Sequence, residues 1–162
     1  MNRGAVVALV AALLLTQGCP SAYQLTYQAE TQRLEQEQRA SQAAADAAHA
    51  DASRYAAVVY FDVGSAVVGK DGERELGWLV GKLAPYPQTV LLVQGFADTT
   101  GTEATNRTLS DDRARAVSAV LSTKGIAPAR LIVEGHGTTS PAATNTTTTG
   151  RRNNRRVEVT VR

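Results

Sequence analysis

The 162-residue sequence has few of the residues that usually carry catalysis or bind metals. It contains one cysteine, Cys19, and two histidines, His49 and His136. These three residues cannot form a metal site of Cys/His spacing, and neither H-E-x-x-H nor G-x-S-x-G occurs. The adjacent Asp111 and Asp112 point about 100° apart on a helix, which is a poor arrangement for sharing a proton. We therefore expect no enzyme, no metal and no cofactor.

Aromatic residues and net charge are also scarce. Aromatics make up 5% of the chain and hydrophobic residues 43%, which predicts an aliphatic core. The formal net charge of +2 is too balanced to indicate a nucleic-acid partner. Residues 151–162 carry five arginines and one glutamate but no aromatics between them, so nucleic-acid binding is not expected there either. Such a basic run is usually a solvated edge.

The sequence has no apolar run long enough to span a bilayer. Its longest, residues 5–15, would extend about 16 Å as a helix, against a hydrocarbon core of roughly 30 Å. Residues 1–18 have the layout of a secretory signal peptide. Cys19 directly follows Gly18 and resembles the acylated cysteine of a bacterial lipobox, although Thr16 departs from that pattern. We expect lipidation of Cys19 and a membrane anchor, with a soluble secreted form as the alternative.

Residues 19–56 form a segment of different composition. From residue 23 onward it lacks glycine and proline and is rich in Ala, Gln, Glu and Arg, which are good helix formers. A sustained heptad of large apolar residues is absent. This predicts a solvated helical or flexible spacer, and a weak alanine-faced helix that pairs with a partner is the alternative.

Residues 57–162 have the pattern of one α/β or α+β domain. Strands are predicted at 57–63, 89–97, 130–137 and 155–161, and helices at 71–84 and 109–125. The order β-α-β-α-β-β, with two helical crossovers, favours a two-layer sandwich on a mixed four-stranded sheet. A Thr/Asn/Pro loop at 138–149 is expected to join the last two strands without a helix.

Two side chains of opposite charge flank the loop after the second strand. Asp98 follows the carboxyl end of that strand, where α/β sheets usually bind ligands. Arg113 is expected in the first turn of the next helix, which Ser110 would cap. Taken singly, Asp98 is an ordinary turn residue and Arg113 a solvated arginine. Taken together, with free amides at the helix start, they predict a cleft that fits an amino-acid zwitterion.

The same stretch carries a family resemblance. GFADTTGTEATNRTLSDDRARAV, residues 95–117, resembles the signature G-H-[TA]-D-x-x-G-[ST]-x-x-x-N-x-x-L-[SG]-x-x-R-A-x-[AS]-V of OmpA C-terminal-like domains, which include the peptidoglycan-associated lipoproteins. Matches continue at Y-F-D-x-x-S, residues 60–65, and N-R-R-V-E, residues 154–158. The resemblance covers about residues 57–162. It implies a domain that binds the peptide stem of peptidoglycan non-covalently, chiefly through diaminopimelate.

The resemblance also assigns residues to the site. Asp98 and Arg113 match the pair that holds the amino and carboxyl groups of diaminopimelate, and Asn106 matches a residue that shapes the loop. Of Arg155 and Arg156, the resemblance favours Arg155 as the one that faces inward. An inward arginine here, or Arg151, would pair with ligand carboxylates or fix the cleft. Phe96 stands where the family commonly has histidine, and either alters the rim or repacks beneath it. Further pocket walls and backbone contacts are expected from Thr99, Thr100, Gly101, Leu109 and Ser110.

These features together predict a non-catalytic, lipid-anchored protein of the outer membrane, facing the periplasm and tethering that membrane to the cell wall. One alternative is a wall-anchoring subunit of a larger envelope machine, with residues 23–56 as the arm that binds envelope proteins. Another is a cell-wall hydrolase, which the missing catalytic residues disfavour.

Overall fold

A computed structural model describes residues 21–162. The predicted signal peptide and Cys19 lie outside the described residues. The helices are α1 Ala22–Ala52, α2 Lys70–Leu83, α3 Glu103–Thr123 and α4 Thr148–Asn154, and the strands are β1 Ala57–Tyr60, β2 Leu91–Gly95, β3 Leu131–Gly135 and β4 Arg156–Val161. A 3₁₀ turn, Pro128–Arg130, precedes β3.

The four strands form one mixed sheet in the order β1-β4-β2-β3. β2 pairs in parallel with β3, and β4 runs antiparallel between β1 and β2. The mixed four-stranded sheet and the two-layer architecture predicted from the sequence are thus confirmed. Because β4 runs antiparallel beside β2, the residues just before β4 lie at the same end of the sheet as the loop after β2.

Aliphatic side chains fill the space between the sheet and α2 and α3. The alternating burial of β1 and β2 places one face of each strand against the helices. The largest fully buried apolar side chains are Leu76, Leu79, Leu83, Leu91, Leu121, Val59, Val93, Val117, Val157 and Val159. The expected aliphatic core is therefore present, and it makes the sheet a rigid support for its edge loops.

Glycine at the end of β2 allows α3 to lie directly on the sheet. A Cβ atom at Gly95 would come within 2.0 Å of the Ser110 carbonyl oxygen, a distance that no side chain tolerates. A Cβ at Gly135, its partner on β3, would meet the Asp111 backbone nitrogen at 2.7 Å. This close approach brings the middle of α3, and with it Arg113, next to the loop that follows β2.

The prediction for the start of α3 was wrong. The helix begins at Glu103, and its cap is Thr102, whose hydroxyl accepts a hydrogen bond from the Thr105 nitrogen at 3.1 Å. Threonine and asparagine at 105–108 are poor helix formers, which is why the sequence pattern indicated a later start. Ser110 is not a cap; its hydroxyl donates to the Arg107 carbonyl at 2.8 Å and accepts from the Gly137 nitrogen at 2.8 Å.

The connection between β3 and β4 also differs from the prediction, because it contains the short helix α4. Thr147 caps this helix by accepting a hydrogen bond from the Gly150 nitrogen at 3.0 Å. The threonine-rich run around it is typical of a loop, so composition alone did not indicate a helix. Arg151 adds a bond from its Nη1 to the Asn145 carbonyl at 2.9 Å. The helix places Asn154 and Arg155 at the sheet edge.

Residues 22–52 are helical, as one of the two forms expected for the spacer. By contacts, the chain divides into a unit that ends at Ala44 and a second unit, Ala45–Arg162. The last turns of α1 therefore belong with the sheet domain, and the domain start expected at residue 57 falls inside this unit. Ala52 is fully buried there, the Tyr86 hydroxyl donates to Asp51, and Tyr55 packs edge-on against Trp78.

Within residues 21–162, none of the helices combines the length and the apolar character that crossing a bilayer requires.

Candidate ligand-binding site

Asp98 is a buried carboxylate in the loop after β2, with 4% of its surface exposed. Its Oδ1 accepts a hydrogen bond from the Thr100 nitrogen at 2.8 Å, which makes it the turn residue that its position suggested. Its Oδ2 accepts from Arg155 Nη1 at 2.8 Å. Asp98 therefore both shapes the loop and forms a buried ion pair with the residue that precedes β4.

Two opposing effects set the pKa of Asp98. Burial, the larger single effect, disfavours the charged form and raises the pKa. The hydrogen bonds from Arg155 and Thr100 and the positive charge of Arg155 favour the carboxylate and together outweigh burial. The pKa of Asp98 therefore lies below its ordinary value of 3.8, and the side chain is ionised at neutral pH.

Arg113 is fully buried, with 0% of its surface exposed. Its guanidinium donates to three backbone carbonyls: Nε to Ser65 at 2.8 Å, Nη1 to Phe96 at 3.1 Å and Nη2 to Asp62 at 3.0 Å. The Phe61 ring lies 5.3 Å from the guanidinium carbon. Within residues 21–162, Arg113 forms no ion pair. Carbonyl dipoles and an aromatic face hold its charge where a carboxylate usually would.

The pKa of Arg113 shows how its surroundings act on this charge. Burial, the largest cause, and the positive charge of Arg155 together lower the pKa of Arg113 to about 10, although the negative charge of Asp98 opposes both. Asp98 and Arg155 thus act on Arg113 electrostatically, although neither forms a hydrogen bond or an ion pair with it. A buried group with a strongly shifted pKa beside other buried charges is typical of a functional site.

Arg155 completes the charged cluster. It is 8% exposed, and besides its bond to Asp98 it donates from Nε to the Phe61 carbonyl at 3.0 Å. The cluster of Asp98, Arg113 and Arg155 therefore holds two buried cations and one buried carboxylate. The prediction that Arg113 lies in the first turn of α3 is wrong, because the helix starts at Glu103 and Arg113 lies in its interior.

Asn106 is 4% exposed, and its side-chain amide forms no hydrogen bond with any residue in the described part of the chain.

A second set of polar side chains ties the neighbouring loops together. Asn145 accepts from the Thr99 nitrogen at 3.3 Å and from Asn154 Nδ2 at 2.9 Å. Asn145 and Asn154 had no predicted role, although Asn154 lies in the N-R-R-V-E match at residues 154–158. They join the 138–149 loop to the loop that holds Asp98.

Phe96 repacks under the loop, which is one of the two outcomes expected for it. Its ring is 6% exposed, stacks on His136 at a centroid distance of 5.3 Å and lies 4.1 Å from the Arg156 guanidinium carbon. Only its carbonyl reaches Arg113. Arg155 and Arg156 are both buried, so this part of the basic run is not a solvated edge.

The remaining predicted site residues lie around the cluster at different depths. Thr99, Thr100 and Gly101 are exposed, Leu109 is half-buried and Ser110 is fully buried in the contact of α3 with the sheet. Three of the nine predicted ligand-binding residues, Asp98, Arg113 and Arg155, share the buried charged cluster. Among residues 21–162 there is no group of three His, Cys, Asp or Glu side chains that could hold a metal ion.

Comparison with known sequences decides the family. Residues 60–155 match the sequence model of the OmpA family. The chain belongs to the OmpA family. The resemblance found in residues 95–117 is thus confirmed, and the matched region contains the whole charged cluster.

Relatives with known names or structures share this domain. The probable lipoprotein YiaD of Escherichia coli K12 is 38% identical over 103 residues, which are 64% of this chain and 47% of YiaD. The crystal structure of the peptidoglycan-associated lipoprotein of Burkholderia pseudomallei superposes with a TM-score of 0.63 at 30% identity, covering 65% of this chain and 90% of that one. The structure of the cell wall anchor of the type VI secretion system (T6SS) of Pseudomonas aeruginosa superposes with a TM-score of 0.56 at 33% identity. This match covers 65% of this chain and 79% of that one. The chain spans about a third to a half of the length of the curated relatives it matches.

The lowered pKa of Asp98 predicts how stability depends on pH. The pKa of Asp98 is lower in the folded state than in the unfolded state. Ionised Asp98 therefore stabilises the fold fully at pH values above its unfolded pKa, and this stabilisation is lost as pH falls through its folded pKa. Urea unfolding followed by the fluorescence of Trp78, the single tryptophan, measures this. We expect wild type to be more stable than Asp98→Asn at pH 6, with a difference that shrinks towards pH 3. A difference independent of pH would contradict the assignment.

Proposed function

We propose that this domain binds peptidoglycan non-covalently by holding the diaminopimelate residue of the stem peptide, in a lipid-anchored protein that tethers the outer membrane to the cell wall. The observation that carries the proposal is the buried charge of Arg113, which has no ion-pair partner among residues 21–162 and lies near the buried carboxylate of Asp98.

A ligand carboxylate is the partner that Arg113 lacks. Buried charges in proteins are usually paired, because leaving water without a counter-charge is costly. Arg113 uses three of its five N–H groups on backbone carbonyls. A carboxylate that reached the guanidinium could accept two parallel hydrogen bonds from it and would supply the counter-charge that backbone carbonyls lack.

Asp98 is the complementary acceptor for an ammonium group. Its oxygens accept hydrogen bonds from Thr100 and from Arg155, and an ionised carboxylate has about four acceptor positions. Diaminopimelate carries an ammonium and a carboxylate on one carbon at the end of its side chain. That group fits a site with one acidic and one basic side chain, and an uncharged sugar does not.

The surrounding residues supply the rest of the pocket in this proposal. The unpaired side-chain amide of Asn106 donates to or accepts from the ligand, and half-buried Leu109 contacts its methylene chain. Thr99, Thr100 and Gly101 contribute exposed backbone groups at the rim. Ser110 and Arg155 act through other residues, since Ser110 holds Gly137 and Arg155 orients Asp98.

The names of the relatives support binding to the wall. The two solved structures compared above are titled a peptidoglycan-associated lipoprotein and a cell wall anchor, and neither title names an enzyme. We accordingly propose a binding protein without catalytic activity. Its place at the outer membrane, facing the periplasm, follows from the wall ligand together with the lipobox-like Cys19.

A second candidate is a wall-anchoring subunit of a larger envelope machine, with residues 23–56 as the arm that binds envelope proteins. The observation that favours it is a set of large apolar side chains on α1 that are at least half exposed: Tyr23, Leu25, Tyr27 and Leu34. A partner protein would cover them. Capture of one specific envelope protein by residues 23–56, lost when these four are replaced by alanine, separates this candidate from a simple tether.

The proposed ligand contacts predict the effect of conservative variants. Asp98→Asn removes the negative charge and Arg113→Lys removes the planar donor fork of the guanidinium, and each is expected to weaken binding to purified sacculi about 10- to 100-fold. Co-sedimentation over a range of sacculus concentrations measures this. The controls are Asp112→Asn and Arg115→Lys, exposed neighbours on α3 that leave the cluster intact. Equal pelleting of all four folded variants would refute the site.

The lipid anchor is tested separately from the wall site. Cys19→Ser removes the acyl acceptor, so the variant is expected to leave the membrane fraction while still pelleting with sacculi. Mass spectrometry of the mature wild-type N-terminus gives the direct reading, a diacylated cysteine at position 19. An unmodified Cys19 in membrane-associated protein would exclude this anchor.

A further inference from the structure

We propose that the turn formed by residues 62–65 occupies the place of the ligand carboxylate on Arg113 and must swing outward before a ligand binds. This inference rests on the proposed function, and it adds that the site closes on itself when no ligand is present. The chemistry it requires of the ligand is a carboxylate that replaces two backbone carbonyls.

The burial of Arg113 is the first observation. With 0% of its surface exposed, its guanidinium cannot contact any ligand in the closed structure. Asp98 is also buried, at 4% exposure, whereas Asp62, Val63 and Gly64 of the 62–65 turn are exposed. A side chain that binds a ligand from solvent and is nevertheless sealed needs a movable cover.

The hydrogen bonds on Arg113 identify that cover. Nε donates to the Ser65 carbonyl at 2.8 Å, and Nη2 donates to the Asp62 carbonyl at 3.0 Å. Nε and Nη2 form the side-on fork of a guanidinium, the edge that binds the two oxygens of one carboxylate. The 62–65 turn therefore presents two oxygens to the same edge that a carboxylate would use.

The turn is attached to the domain in a way that permits movement. It is closed by a bond from the Ser65 nitrogen to the Asp62 carbonyl at 3.2 Å. Among residues 21–162, its only hydrogen bonds to another element are the two from Arg113. On the N-terminal side, Phe61 is fixed by its nitrogen donating to the Arg155 carbonyl at 2.9 Å, and on the C-terminal side α2 begins at Lys70. The chain between these points can open while both ends stay in place.

The exchange is favourable in charge and reversible in geometry. Two neutral carbonyls move away from the buried guanidinium of Arg113. One carboxylate takes their place and supplies the missing counter-charge. The observed affinity then equals the affinity of the open site multiplied by the fraction of protein that is open. A change that weakens only the closed turn should tighten binding.

Gly64 provides such a change, with a matched control in the same segment. Its φ of +67° is in the left-handed region, and an added Cβ would have no atom within 4 Å. Gly64→Ala therefore strains the closed turn without a clash. Gly69 has an ordinary φ of −77° and equally open space, so Gly69→Ala adds the same methyl group without strain.

The test is calorimetric titration of the mature protein with a muropeptide whose tripeptide stem ends in diaminopimelate. Gly64→Ala is expected to bind about fivefold more tightly than wild type, since a non-glycine residue at left-handed φ is disfavoured by about that factor. Gly69→Ala is expected to bind like wild type. An affinity of Gly64→Ala equal to or below that of Gly69→Ala would overturn the proposal.

A ligand-free measurement separates this inference from the proposed function. Phenylglyoxal modifies accessible arginines, and mass spectrometry resolves the rate at each site. We expect Arg113 to react far more slowly than exposed Arg152, and about fivefold faster in Gly64→Ala than in Gly69→Ala. Equal rates in the two variants would refute the moving turn even if wild type binds the muropeptide. If the rates differ and no variant binds, the turn opens and the proposed ligand is wrong.

Discussion

The arrangement of this site depends on one buried positive charge. Arg113 lies under the surface with its three nitrogens on backbone carbonyls, and no residue of the described chain gives it a counter-charge in contact. Its carbonyl partners come from the turn after β1 and the loop after β2, so the guanidinium joins two segments distant in sequence. Asp98 is near enough to act on its pKa but is bonded to Arg155 instead. The cluster therefore holds one more cation than anions, which is the reason to expect an anionic group in the ligand.

The residues of this cluster come together because helices, strands and loops of the domain approach one another very closely. Gly95 lets α3 rest on the end of β2, and the insertion of β4 between β1 and β2 carries Arg155 to the same sheet edge. Asn145 and Asn154 then bind the last long loop to the loop of Asp98. These contacts are close backbone approaches and hydrogen bonds of polar side chains, so the shape of the site depends on loop geometry more than on the packing of large side chains.

The sequence predicted the mixed sheet, the aliphatic core and the family, because hydrophobic periodicity and spaced motif residues are local signals. It misplaced the start of α3, since Thr102 caps a stretch of poor helix formers, and it missed α4 within a threonine-rich run. It named Asp98, Arg113 and Arg155 and predicted a cleft between Asp98 and Arg113 that fits an amino-acid zwitterion. The bond of Asp98 to Arg155 and the sealing of Arg113 by Ser65 and Asp62 depend on tertiary contacts, for which the sequence carries no local signal.

The central claim, that the buried charge of Arg113 receives a ligand carboxylate, is tested most directly by two muropeptides that differ only there. One has a stem ending in diaminopimelate, and the other has lysine, which keeps the side-chain ammonium and lacks the adjoining carboxylate. Titration of the protein with each is expected to show binding of the first and affinity lower by about tenfold or more for the second. Equal affinity for the two peptides would contradict the account.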